Sequence, residues 1–182
     1  LEKAITLETE VELALAIKRI ALIHGVIMTI GGIPLIYLGD ELGILNDYGY
    51  QQLPSKAQDS RWVHRPAFDQ NKAENRKMES TVENRIFSSL TKLIQIRKSN
   101  PVFFNLNTEI LDVGNPHVLG FVRKNETQTM IVLANFSERP QTINMPESIG
   151  ITNNQITDLE TGIRNNPVNL NLSPYDLKFY SL

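Results

Sequence analysis

Residues 11–38 constrain this chain more than any other stretch. From Val11 onward nearly every position is apolar; Glu12, Lys18, Arg19 and His24 are the chief exceptions. The pattern predicts a helix from Glu8 to Ile30, capped by Thr9 with Glu12 three residues on. A helix apolar nearly all round must be covered by other elements. Gly31-Gly32 ends it, and Ile33–Leu38 then reads as a strand buried on both faces, as in a parallel sheet flanked by helices. Helix, turn and strand make the αβ half of a βαβ unit, which cannot form a sheet by itself. Ile20 to Leu38 carries no formal charge, and a bilayer core takes about 20 apolar residues. Gly31, Gly32, Pro34 and His24 interrupt this run, and Asp40 and Glu41 follow at once, so no membrane span is expected.

Gly39 to Lys77 reads as a loop of about forty residues, well beyond the ~12–15 usual for structureless connections, and such loops are typically functional. A helix follows over Thr81–Ser99, with Ser80 and Glu83 as a capping box. Its buried stripe is Val82, Ile86, Leu90, Leu93 and Ile94, and Pro101 stops it. Beyond that point the texture changes. Thr108–Val113, Val118–Lys124, Met130–Asn135, Gln141–Met145, Gln155–Asp158, Val168–Leu172 and Leu177–Leu182 read as short strands between turn-like separators. That spacing predicts an antiparallel sandwich. The expected organisation is α/β for residues 1–100 and all-β for residues 101–182, with the boundary near Asn100.

The 182 residues can bury a core, at 41% apolar, 21% charged and net charge −2. No basic stretch is long enough for a phosphate-backbone footprint, so no nucleic-acid partner is expected. The lack of cysteine excludes disulfides and thiolate metal sites. It fits a reducing compartment; a cytoplasmic location is expected, with an extracellular one as the alternative. The chain starts at Leu1 without a basic, cleavable leader, which suggests a truncated product or a fragment.

The long loop holds the candidate chemistry. Asp40 and Glu41 fall at the carboxyl end of the expected strand, where barrels and open sheets bind ligands. Adjacent strand residues point to opposite sides and cannot flank one bond at the ~5–9 Å of glycoside chemistry. They read as loop-ordering groups. Asp47, Tyr48 and Tyr50 fit either a sugar-binding rim or a solvated loop. Asp59, Ser60, Arg61, Trp62, Val63, His64, Arg65 and Pro66 form the densest cluster. An arginine fork there suits a carboxylate or an array of hydroxyls, and an Asp59–Arg61 salt bridge is the plainer alternative. His24 and His64 read as ordinary histidines. No acidic or histidine group has metal-ligand spacing. Gly31-Gly32 precedes a strand rather than opening a helix, so there is no phosphate cradle. The GDELG segment lacks the serine of a nucleophile elbow. Neither a metal nor a cofactor is expected.

"GGIPLIYLGDELGILNDY" followed by "DSRWVHRP" resembles the end of the catalytic barrel in the α-amylase superfamily, glycoside hydrolase family 13, and most of all the amylosucrases. "LSPYDLKFYSL" is similar to the last strand of that family's C-terminal β-sandwich. The resemblance implies that residues 1–100 are the last helices, last strand and last long loop of an incomplete (β/α)8 barrel. Residues 101–182 would be the C-terminal sandwich. It further implies a retaining mechanism: an aspartate attacks the anomeric carbon of sucrose, a glutamate protonates the departing fructose, and glucose passes to an α-glucan or to water. The family's three acidic residues sit on earlier barrel strands, so none falls in this chain.

Arg61 matches the arginine that closes the floor of the glucosyl pocket by pairing with an acid from an early barrel loop; without that acid it would stand unpaired. Asp47, Trp62, His64 and Arg65 are weaker candidates for loop support or acceptor contact. Asp40, Glu41 and Asp59 are expected to order the loop. The family's loop varies between "LNDY" and "DSRW", which leaves the acceptor and product open. The implied partners are sucrose, α-glucan and the absent N-terminal part of the barrel. An α-amylase- or α-glucosidase-type hydrolase of the same superfamily is one alternative. A non-catalytic carbohydrate-binding sandwich is another. Uncovered, the 11–38 segment should drive self-association to hide apolar surface. Light scattering checks this: a dimer or larger species is expected, and a strictly monomeric chain contradicts it.

Overall fold

The computed structural model describes residues 1–7, 9–146, 149, 151 and 155–182. Contacts divide the chain into two compact units, Leu1–Ile17 with Ile36–Thr91, and Lys18–Leu35 with Lys92–Leu182. The division does not fall at the expected boundary near Asn100. Residues 18–35 and 92–99 belong with the β structure, because the sheet needs them on one of its faces.

The β unit contains β1 (Thr108–Leu111), β2 (Val118–Lys124), β3 (Thr129–Asn135), β4 (Gln141–Ile143), β5 (Ile156–Asp158), β6 (Arg164–Asn165), β7 (Leu170–Leu172) and β8 (Leu177–Ser181). Six of them form one antiparallel sheet in the order β1-β2-β3-β8-β5-β6, and β4 pairs with β7 in a second. Alternation assigns the faces. Val118, Val122, Ile131, Leu133, Ile156 and Tyr180 join Ile143, Met145, Leu170 and Leu172 of the small sheet in one buried cluster. This is the expected sandwich.

The opposite face of the large sheet is also buried, which the sandwich pattern does not foresee. Phe121, Val132, Ala134 and Phe179 are 0–1% exposed. Phe103, just after the second long helix, meets Phe179 edge-on, with ring centroids 6.3 Å apart. The cover is the later part of α2 (Glu10–Thr29) and of α4 (Val82–Ser99). Gly25 of α2 approaches β8 so closely that an added Cβ would lie 1.9 Å from Leu177 Cδ2. Strands covered on both sides read as continuous apolar runs, which accounts for VLGFV in β2 and MIVLA in β3.

The other unit holds α1 (Glu2–Leu7), the start of α2, α3 (Gln70–Asn75) and most of α4. α1 has no counterpart in the sequence reading, and the expected helix start at Glu8 lies outside the described residues. Thr9 Oγ1 accepts from Glu12 N–H at 3.5 Å. The expected Ser80–Glu83 capping box does not form. Ser80 takes φ +68°, Thr81 Oγ1 accepts from Asn84 N–H at 3.1 Å, and Glu83 instead receives Lys72 Nζ at 2.6 Å. The cap has moved by one residue because the left-handed turn at Ser80 reverses the chain.

Ile33–Leu38 is not a strand here. Ile33, Leu35, Tyr37 and Leu38 are 98%, 77%, 52% and 69% exposed. A strand needs a hydrogen-bonded neighbour, and among the described residues none runs beside it. The expected structureless loop is also corrected: three 3₁₀ turns, Asp40–Leu42, Tyr48–Gln52 and Ser60–His64, and α3 lie within it. Among the described residues no helix is long and apolar enough to cross a membrane.

Phe179→Ala should cost about 3–5 kcal/mol, because it empties the face shared by the sheet and its helical cover. Urea unfolding checks this; a loss below about 1 kcal/mol would mean that this face is not packed as described.

Candidate functional site

The polar stretch after Leu38 is organised by aspartates at the starts of short turns. Asp47 Oδ1 accepts from Gly49 N–H at 2.9 Å, and Asp59 Oδ1 from Arg61 N–H at 3.0 Å. Asp69 Oδ1 accepts from Asn71 and Lys72 N–H at 2.9 and 3.1 Å. Short acidic side chains satisfy the orphan amides at such starts. Glu41 Oε2 accepts from Gly39 N–H at 2.8 Å, and Gly39 and Gly43 bracket that turn at φ +101° and +60°. The backbone N–H of Asp47 donates to Val63 O at 2.9 Å, tying the 48–52 and 60–64 turns together.

This scaffold surrounds an open cavity of ≈ 460 Å³. Arg61, His64, Arg65 and Pro66 line one side; Tyr37, Leu38, Gly39 and Asp40, with Ile44–Asn46, line the rest. His64 Nδ1 lies 3.1 Å from Asn46 Oδ1. Of the residues singled out in the sequence, Arg61, His64, Arg65 and Asp40 meet at the cavity. Asp47 and Trp62 do not line it. Trp62 carries Lys56 Nζ 4.3 Å from its ring centroid and the Arg65 guanidinium at 5.9 Å. Cations over the ring leave it poorly placed to stack on a sugar. Tyr37, Leu38, Asn46 and Lys56 carry no strong signal of their own in the sequence. Only the proximity of the IYLGD and LNDY segments to the arginines hinted at the first three.

Arg61 is not unpaired, as the resemblance implied it would be. Its Nε donates to Asp59 Oδ1 at 2.8 Å and its Nη2 to Asp59 Oδ2 at 2.8 Å. A fork two residues from a carboxylate closes on it bidentately. The Arg61 side chain remains 73% exposed. Hydrogen bonds from the Arg61 side chain and backbone, together with its charge, hold the Asp59 carboxyl down at about 2, and Asp59 raises Arg61 in turn. Arginine and histidine beside Asp40 make a surface suited to hydroxyl-rich or partly anionic ligands. Among the described residues no acidic or histidine cluster is arranged to hold a metal ion.

Residues 108–179 match the family model described as Maltogenic Amylase, C-terminal domain. The chain is 26% identical over 98 residues to oligo-1,6-glucosidase of Bacillus cereus, covering 53% of this chain and 18% of that protein. It is 29% identical over 135 residues to glucosylglycerate phosphorylase of Escherichia coli strain K12, covering 70% of this chain and 22% of that protein. The fold is shared with AmyP in complex with maltose, at 16% identity and TM-score 0.71, covering 100% of this chain and 37% of that one. It is shared too with Bacillus licheniformis trehalose-6-phosphate hydrolase, at 17% identity and TM-score 0.67, covering 90% and 38%. The chain therefore spans about a fifth of the curated relatives and over a third of these structures. Residues 108–179 thus resemble the C-terminal domain of maltogenic amylase, and the fold is shared with these solved structures.

The Asp59 carboxyl has a folded value below its unfolded one. Its contribution is therefore present above about pH 4 and is lost as pH falls towards about 2. Carboxyl titration by NMR should give a midpoint near 2 for Asp59, rising part of the way towards the ordinary carboxyl value of about 4 in Arg61→Ala, where the backbone amide still donates. An unchanged midpoint in that variant would remove the Arg61 side chain as the cause.

Proposed function

We propose that this chain is the C-terminal part of a retaining, sucrose- or α-glucan-acting enzyme of amylosucrase type. The observation that carries this is the convergence of Arg61, His64 and Arg65 with Tyr37–Asp40 around one open cavity. In this reading "DSRWVHRP" and "IPLIYLGDE" line the sugar pocket together with parts of a barrel outside this chain. Arg61 closes the pocket floor, exchanging or sharing Asp59 with an acid from that barrel. Asp47, Glu41 and Asp59 hold the loop in shape, and Asp40, His64 and Arg65 face substrate or acceptor. Trp62 stiffens the loop. The exposed row Ile33, Leu35, Tyr37 and Leu38 is the last barrel strand awaiting its neighbours. In their absence it is the surface through which the chain self-associates. A cytoplasmic location belongs to the same reading.

Glucosyl transfer of this kind needs a nucleophilic carboxylate and an acid ~5–5.5 Å away. Asp40 and Glu41 are not such a pair, since Glu41 is spent on Gly39. The chain alone should turn over no sucrose. A hydrolase of α-glucosidase type is the second reading, favoured by the likeness to oligo-1,6-glucosidase. A free-standing sugar-binding sandwich fits less well. Phe121 and Phe179 are buried, and Tyr175 lies under Arg19 at 5.2 Å.

The full-length gene product should consume sucrose, release more fructose than glucose and form glucan. Arg61→Ala should lower kcat/KM on the order of 100-fold, the cost of a misplaced sugar. Untouched sucrose with cleavage of α-glucans would replace the amylosucrase reading by the hydrolase one. Sucrose turnover by the 182-residue chain itself would contradict the assignment of catalysis to residues outside it.

A further inference from the structure

The C-terminus of α2 receives two guanidinium groups. Arg123 of β2 is 0% exposed. Its Nη1 donates to Ile30 O and to Thr108 Oγ1. Its Nη2 donates to Asn105 O and, at 2.8 Å, to Asn105 Oδ1. Thr108 Oγ1 donates in turn to Ile30 O. Arg97 of α4 donates from Nη1 to Met28 O and from Nη2 to Gly32 O at 3.0 Å. Among the described residues neither arginine has a carboxylate partner; the counter-charge is the negative end of the helix and its orphan carbonyls. Gly31, at φ +131°, fits the same arrangement, since an added Cβ would lie 2.8 Å from Arg123 Nη1. Burial and the nearby Arg97 charge both pull the Arg123 pKa down. An apolar side chain would fill the site at lower desolvation cost, so filling space does not explain this arginine.

We propose that Arg97 and Arg123 are positioning residues: a two-guanidinium clamp that fixes where the chain leaves α2 and the path it takes into residues 33–35. That segment leads without interruption to Tyr37, Leu38 and Asp40 of the cavity. The inference rests on the proposed function only for the importance of that segment. Arginine rather than lysine is required, because one guanidinium must bridge Ile30 O and Asn105 at once, which a single ammonium point cannot do.

Hydrogen exchange on the 182-residue chain tests the clamp without reference to activity, so its failure and that of the sugar reading are separable. Ile30 N–H bonds to Val26 O at 2.9 Å and reports on the last turn. In Arg123→Met, amides 27–30 should exchange about tenfold or more faster than in the parent, relative to amides 131–133 of β3. Leu172→Ala, a sandwich-core control, should raise both sets together. Arg123→Lys should behave as Arg123→Met. Should Arg123→Met not fold, Arg97→Met is read in the same way. Equal change at 27–30 and 131–133 in the arginine variants, or full rescue by Lys, would overturn the clamp.

Discussion

The architecture of the β unit depends on how the C-terminus of α2 is satisfied. The last carbonyls of a helix cannot be buried without donors. Arg97 and Arg123 supply them, from α4 and from β2 of the large sheet. The same contacts bring the helical cover onto the face carrying Phe121, Val132 and Phe179. The large sheet is therefore the middle layer of three: β4 and β7 on one side, helix on the other. Cutting the chain at residue 100 would strip one of those layers. The domain matched by the family model begins at 108, but in this chain its packing begins with residues 18–35.

The loop after Leu38 is built on a different principle. Few of its residues are buried, Leu42 and Tyr50 being the large apolar exceptions. Order comes instead from short-range bonds between a side chain and a nearby amide, repeated at Asp47, Asp59 and Asp69. Such bonds close over two or three residues and cost little loop entropy. They leave the tips of Arg61, His64 and Arg65 facing open space. A loop of this kind can present cations to a ligand while its backbone stays fixed, which suits the wall of a sugar pocket.

Periodicity exposed the long helices and most strands, because burial on one or two faces leaves a direct imprint on the sequence. Other features did not show. Arg123 stands beside Lys124 at the end of a strand pattern, where a charge usually marks solvent; nothing local says that it reaches a helix end about ninety residues earlier in the chain. The single step from Ser80 to Thr81 as the cap depended on a left-handed turn. The Asp59–Arg61 spacing allows a plain salt bridge, and one is present. Ile33–Leu38 has strand composition without a strand, since pairing is a property of two segments and the sequence displays one. The cavity was legible as a cluster around Arg61 but not in its far wall.

Residues 108–179 resemble the C-terminal domain of maltogenic amylase, and the proposed amylosucrase-type chemistry is the step beyond that likeness. The most direct test of that step looks at the loop rather than at products. Hydrogen exchange should be followed in the full-length gene product with and without saturating glucose, the sugar that the proposed pocket holds. The account requires slower exchange at residues 37–40 and 59–66, with β3 unchanged. Unaltered exchange at both segments, under conditions where glucose binding is demonstrated independently, would contradict the assignment of this loop to the sugar pocket.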